Sequence, residues 1–174
     1  MPKIIVLGYA RHGKDTVCDY LRDLYGLEFQ SSSLICAKEI VKPYLETKGI
    51  YYDDIKSCFE DRAHHRKEWF DAICAFNKDD RTKLGTLIFK KHDVYCGLRN
   101  KEELEAMKKQ KLYDLCIWVD SSGRGVAIEP ESSCTVCPED ADVILKNNRT
   151  LDELRLQIMD VMNRFFPDMP ALNK

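Results

Sequence analysis

The 174-residue chain has almost no charge imbalance: 27 Lys and Arg stand against 29 Asp and Glu, a formal −2 with histidine neutral. Such a balance excludes a global electrostatic pull toward nucleic acid or an acidic membrane surface. Long apolar runs are missing too. No stretch approaches the roughly 20 residues that a bilayer crossing needs, so no membrane association is expected. The apolar start is too short and too weakly basic to read as a secretion signal, and a cytoplasmic setting is expected. Internal repeats and low-complexity tracts are also lacking. What remains is 44% hydrophobic residues, enough for a core inside one domain spanning 1–174.

Cysteine is not scarce. Eight lie at positions 18, 36, 58, 74, 96, 116, 134 and 137. Most sit in apolar patterns, as Cys96 does in Val94–Leu98 and Cys116 does in Leu115–Val119. They read as buried free thiols of a reducing compartment. Cys134 and Cys137 have C-x-x-C spacing, but no second C-x-x-C or H-x-x-x-H completes four ligands. No metal or redox role is assigned to them.

Apolar patterning and turn residues predict strands at 3–8, 27–30, Val94–Leu98, Leu115–Val119 and Val143–Leu145. Between them the pattern predicts helices at 14–25, about 34–47, about 53–76 opening at Asp53-Asp54, about 80–91 and 101–110. Thr150 caps a final helix, with Glu153 three residues on. Residues 121–139, rich in Ser, Gly, Pro and Glu, read as a long loop, and the tail from Pro167 as frayed. Five short apolar strands alternating with helices imply a parallel sheet covered on both faces, an α/β fold. Ligands of such sheets bind at the carboxyl ends of the strands. The segments after the first strand, Leu98, Val119 and Leu145 should therefore share one rim.

The sharpest signal lies at the first of these. Gly8 to Lys14 has the spacing G-x-x-x-x-G-K between a strand and an amphipathic helix, the context that makes this motif a phosphate-binding P-loop. Gly8 and Gly13 let the backbone curl so that successive N–H groups form an anion nest. The nest caps a helix N-terminus, where dipole and unpaired N–H groups favour phosphate. Lys14 adds a mobile positive charge. Arg11 and His12 lie inside the loop, with Arg11 able to reach either phosphate or water.

Gly8–Thr16, Gly97-Leu98-Arg99-Asn100-Lys101-Glu102-Glu103, Ile117–Asp120 and Asp142–Asn148 follow one another in an order that resembles nucleoside monophosphate kinases. More narrowly they resemble the small bacteriophage deoxynucleoside monophosphate kinases. The chain is also similar to phage P-loop kinases that phosphorylate 5-hydroxymethyluracil within DNA. The resemblance spans nearly the whole chain and implies a P-loop three-layer sandwich, a five-stranded parallel sheet of the nucleoside-monophosphate-kinase kind. It further implies a helical acceptor-binding insertion over about 34–91 and a lid-like loop over about 121–139. The implied cofactors are ATP and Mg²⁺. The implied acceptor is a small-molecule nucleotide, most simply a deoxynucleoside 5′-monophosphate, with DNA as the alternative and a homodimer left open.

The chain departs from the common pattern in one place. Asp15 follows the P-loop lysine and Thr16 comes next, where Ser or Thr usually comes first. Asp15 and Thr16 are therefore the candidate Mg²⁺ ligands, and Asp120 is the candidate for a further one, since a carboxylate suits a hard cation. Arg99 follows a central strand and either touches phosphate or pairs with Glu102 or Glu103. Arg124, in the Ser-Gly-Arg-Gly stretch, fits a lid arginine or a solvated one. Asn147 either contacts the donor base or makes a turn. In the acceptor region, Arg62 and Arg66 would share a helical face as a phosphate clamp, with His65 and Trp69 on a second face. Ser32 either touches the acceptor or caps a helix. The basic runs Lys90-Lys91 and Lys108-Lys109-Gln110-Lys111 are the local support for DNA. A non-catalytic nucleotide-binding module is the remaining alternative.

Overall fold

The computed structural model describes residues 1–128 and 134–172. Its centre is the strand β1 (Ile4–Leu7), four residues of zero exposure. A strand buried on both faces must be apolar throughout, and each such side chain contributes roughly 1.5–3 kcal/mol by leaving water. The other strands are β2 (Phe29–Ser31), β3 (Val94–Cys96), β4 (Leu115–Asp120) and β5 (Val143–Lys146). They pair in the order β2-β3-β1-β4-β5, and every pairing is parallel. Registers such as Val6 opposite Cys96 and Ile117 bring the strand ends to one rim, as the alternating pattern predicts.

Strand periodicity sends alternate side chains to two separate cores. On one face Ile4, Val6, Val94 and Cys96 pack against α1 (Lys14–Tyr25) and α8 (Leu151–Phe165). Val17, Leu21 and Leu24 meet Leu154, Ile158 and Met162 there. Gly26 ends α1 in the left-handed conformation at φ 70, and its N–H returns to the Arg22 and Leu21 carbonyls. The Thr150 hydroxyl caps α8 by accepting from the Glu153 N–H at 3.2 Å. On the open edge of β5, Gln157 accepts from the Lys146 N–H and donates to its carbonyl, so a side chain takes the place of a sixth strand at that residue.

On the opposite face Ile5, Leu7, Tyr95, Cys116 and Trp118 pack against the helices of the insertion. These are α2 (Ser32–Cys36), α3 (Lys42–Glu46), α4 (Ile55–Glu60), α5 (Arg66–Phe76) and α6 (Lys83–Phe89), with α7 (Lys101–Lys109) after β3. The helix expected over 34–47 begins at Ser32 and passes through a π-helical turn, Ala37–Val41, where the Lys42 N–H bonds the Ala37 carbonyl. Pro43, one residue later, has no N–H to give and crowds the preceding turn, so the ladder widens there.

The single helix expected over 53–76 is instead two helices. Asp54 caps α4 by accepting from the Ser57 N–H. Residues Asp61–Ala63 then form a 3₁₀ turn, and His65 is non-helical at φ −124, ψ 37. Asp61 sits at the break, where its carboxylate accepts from the Tyr52 hydroxyl and pairs with both His64 and His65. Of the cysteines, all free, Cys74 is exposed and Cys137 half-buried, whereas the other six are buried.

Candidate active site

The loop from Gly8 to Gly13 leaves β1 and feeds α1, and three of its residues have positive φ: Gly8 at 144, Arg11 at 64 and Gly13 at 93. A Cβ on Gly13 would lie 2.2 Å from the Asn147 side-chain nitrogen, and one on Gly8 would lie 2.7 Å from the Val119 carbonyl oxygen. Both glycines are thus required by conformation and by space. Arg11 adopts the left-handed region without being glycine, and its side chain is exposed.

A buried clasp holds the loop against the ends of β4 and β5. The Asn147 amide donates to the His12 carbonyl at 3.1 Å, and the Ser121 hydroxyl lies 2.8 Å from the same oxygen and 3.2 Å from the Asn147 carbonyl. The Ser121 N–H donates to His12 Nδ1 at 3.0 Å, which puts the ring proton on Nε2. Tyr9 stands edge-on to His12 and to Trp118. The side chains of His12 and Asn147, 1% and 4% exposed, therefore buttress the loop from beneath. The Asn147 amide is thus turned to the His12 carbonyl, and His12 Nδ1 to the Ser121 N–H. Ser121 was not singled out from the sequence, where it is one serine of several in a polar stretch.

Lys14 donates to the Tyr9 carbonyl at 2.8 Å, so its ammonium lies over the loop that it serves. Asp15 is exposed at the start of α1, and the Cys96 thiol at the end of β3 donates to its carboxylate at 3.6 Å. Asp15 and Thr16 are thus oxygen donors beside the nest, and together with a nucleotide's phosphates they fit Mg²⁺, which is bound by one or two carboxylates plus phosphate. Among the described residues no three His, Cys, Asp or Glu side chains converge as a metal site. Asp120 is engaged elsewhere: it pairs with Lys146 at 2.8 Å and accepts from the Ser122 N–H at 2.9 Å. Burial pushes its carboxyl up, but Lys146 and Ser122 outweigh that and hold it at about 2.

On the β3 side of the nest lies a cavity of about 160 Å³, walled by Ser32, Trp69, Ile73, Tyr95, Arg99 and Glu103 among others. Gly97 stands between it and the P-loop: a Cβ there would be 3.2 Å from the Ser32 hydroxyl and 3.9 Å from Lys14 Cε. Three of the expected residues, Ser32, Trp69 and Arg99, meet here. Arg62, His65 and Arg66 do not line the cavity. Arg62 and Arg66 fall in different elements, so the shared helical face is not formed; Arg62 folds over the Phe59 ring and bonds its carbonyl. His65 lies between Asp61 and Glu68. Glu102 pairs with Arg81 at 2.8 Å, and Arg99 holds residues 134–136 to the rim through its carbonyl, which accepts from the Thr135 N–H at 2.9 Å. Arg124 ends a 3₁₀ turn, Ser122–Arg124, and is exposed. The expected lid over 121–139 is described on both sides of 129–133, which lie outside the described residues.

Glu103 was read only as a partner for Arg99. In the fold it is 5% exposed, and burial raises its carboxyl to about 7 although the Tyr95 hydroxyl, 3.1 Å away, favours the charged form. The sequence carries a trace of this, since 103 shares a helical face with Met107, also buried.

No family model matches the chain, and no curated protein sequence matches it. Solved structures do. A gluconokinase from Sinorhizobium meliloti aligns with TM-score 0.52 and 14% identity over 96% of this chain and 94% of that one. A sugar kinase from a Janibacter species aligns with TM-score 0.52 and 14% identity over 99% of each chain. At that identity the likeness is one of fold alone, a parallel α/β sheet with helices on both faces.

Proposed function

We propose that the chain is an ATP- and Mg²⁺-dependent phosphotransferase whose acceptor is a nucleotide, in the first instance a deoxynucleoside 5′-monophosphate. The observation that carries this reading is the meeting of nest and cavity at Gly97, one residue from both the P-loop lysine and Ser32. A donor polyphosphate on the nest and an acceptor in the cavity would approach each other over that glycine, and closeness of this kind supplies much of the rate of a two-substrate reaction. The two structural neighbours are named as kinases of small molecules, which supports the same reaction class.

In this reading the backbone N–H groups of residues 8–14 hold the donor's phosphates. Lys14 leaves the Tyr9 carbonyl for the β- and γ-oxygens. Asp15 and Thr16 would hold Mg²⁺, which would supply charge neutralisation to the donor's phosphates. Arg99 and Arg124 spread positive charge over the moving phosphoryl group. The γ-phosphoryl passes to an acceptor phosphate oxygen, leaving ADP and a diphosphate. That oxygen is already an anion, so no general base is required.

A second reading places the acceptor in DNA as 5-hydroxymethyluracil. The exposed Arg62 and Arg66 and the 66% exposed Phe70 on the outer side of the insertion favour it, since strand binding uses cationic and aromatic side chains. The test is γ-labelled ATP offered with four deoxynucleoside monophosphates, plain duplex and hydroxymethyluracil duplex. Label on a monophosphate supports the first reading and label on the modified duplex the second. Slow hydrolysis with no labelled acceptor would leave a nucleotide-binding module. Lys14→Ala is expected to keep the fold and lose transfer, and wild-type rates in that variant would refute phosphoryl transfer on this loop.

A further inference from the structure

Granted the acceptor-nucleotide reading above, we propose that the cavity beside Gly97 receives a single pyrimidine ring, whose ring N–H is given to Glu103 and whose adjacent carbonyl accepts from the indole of Trp69. The size argument comes first. About 160 Å³ is well below the roughly 300–1,000 Å³ of sites that take drug-sized ligands. Of the two base classes, the single six-membered ring is the one that a space of this size suits, with the sugar and phosphate outside it toward Gly97. The walls suit a flat apolar face, with Ile73, Leu84 and Cys36 contributing no hydroxyl or charge.

Among the polar groups that line the cavity, Glu103 and Trp69 are complementary. Tyr95 is the one hydrogen-bond partner of the Glu103 carboxyl among the described residues, and it engages Oε1. The other carboxyl oxygen is an acceptor awaiting a donor. Trp69 is 8% exposed, and its indole N–H finds no partner among the described residues. A buried N–H without an acceptor is costly, and a ligand carbonyl would recover that cost. An N–H next to a C=O is the edge that thymine and uracil rings present. The acceptor's phosphate, repelled by Glu103, would sit toward Arg99 and Gly97, where the donor's phosphates arrive.

The experiment is equilibrium binding by titration calorimetry on the full chain without ATP. The ligands are thymidine, deoxyuridine, deoxyguanosine and deoxyadenosine 5′-monophosphates, and a duplex carrying thymine or 5-hydroxymethyluracil. Expected is a pyrimidine monophosphate, or the duplex, binding at least tenfold more tightly than either purine monophosphate. Glu103→Gln, isosteric and able to keep the Tyr95 contact, should weaken that ligand about tenfold to a hundredfold, the loss of one hydrogen bond to a charged group. Trp69→Phe, which keeps the ring and removes the N–H, should weaken it several-fold. Circular dichroism checks that both variants are folded.

Tight binding of the monophosphate makes the free nucleotide the source of the ring, and binding of the duplex alone makes it a base in DNA; both uphold the ring assignment. Purine monophosphates binding as well as pyrimidines, unchanged affinity in Glu103→Gln, or no binding of any of these ligands overturns it. Label transfer to purines as readily as to pyrimidines overturns the ring assignment while leaving the kinase reading intact. Tight pyrimidine binding with no transfer does the reverse.

Discussion

Replacing Glu103 by glutamine should make the protein more stable at pH 8 and leave it nearly unchanged at pH 5. Burial raises the Glu103 carboxyl from an ordinary 4.5 to about 7. A carboxyl whose folded value lies above its unfolded value contributes its full stability below about 4.5 and loses it as pH rises through about 7, because the native state holds the proton more tightly than the unfolded chain. The shift corresponds to roughly 3 kcal/mol at 1.36 kcal/mol per unit, and most of it falls between pH 5 and 8. Glutamine carries no charge at either pH and keeps an oxygen for the Tyr95 hydroxyl. The difference between variant and wild type should therefore grow by roughly 2–3 kcal/mol over that interval.

The groups facing Glu103 do not blur the measurement. The Tyr95 hydroxyl and the Cys36 thiol, the latter at about 12, are both pushed up by burial. Urea denaturation of both proteins at the two pH values gives the quantity directly, provided the slopes agree. Equal differences at pH 5 and pH 8, or a variant less stable at pH 8, would refute the reasoning that this carboxyl is buried at a cost.

Further outcomes test the loop and its supports. Gly13→Ala, which puts a methyl where the Asn147 amide lies and forces alanine to φ 93, should weaken MgATP binding more than tenfold by calorimetry. Ser121→Ala removes a buried hydroxyl from the clasp on the His12 carbonyl and should cost about 1 kcal/mol in chemical denaturation. Asp120→Asn should remove an acid-dependent contribution: the wild-type carboxyl, held at about 2, contributes stability above its ordinary value of 3.8 and loses it as pH falls through about 2. Acid unfolding of the variant should accordingly be less steep in that range. Gly85→Ala should change stability by no more than about 1 kcal/mol in urea unfolding, because the added Cβ meets only the flexible thioether end of Met107, which can swing aside, while alanine favours the helix.

Several of these sites were visible before any coordinates. The glycine-lysine loop, the strand-helix alternation and the common rim at the strand ends are local or periodic properties. The structure has them where the pattern predicts, with Gly97, Ser121 and Asn147 all drawn to the P-loop. The insertion was less legible. Helical spacing joins Arg62 to Arg66 as a clamp, but a 3₁₀ turn and a non-helical His65 separate them, at a place where Asp61 forms side-chain bonds to Tyr52, His64 and His65. Those bonds join residues whose meeting depends on the fold of the segment rather than on a pattern. Asp120 was offered as a metal ligand on its position at a strand end, and Lys146 on the neighbouring strand takes it instead.

Sequence alone therefore determined the sheet, its parallel sense and the glycine loop between β1 and α1, since each depends on residue type at short spacing. Only the tertiary structure decided which polar side chains turn inward to brace the loop and which face the cavity. Whether Glu103 is a solvated helix residue or a buried carboxyl depends on Tyr95 and Trp69 closing over it from elements 8 and 34 residues earlier in the chain. Burial is a property of what surrounds a group, and nothing in the run Asn100-Lys101-Glu102-Glu103 carries it.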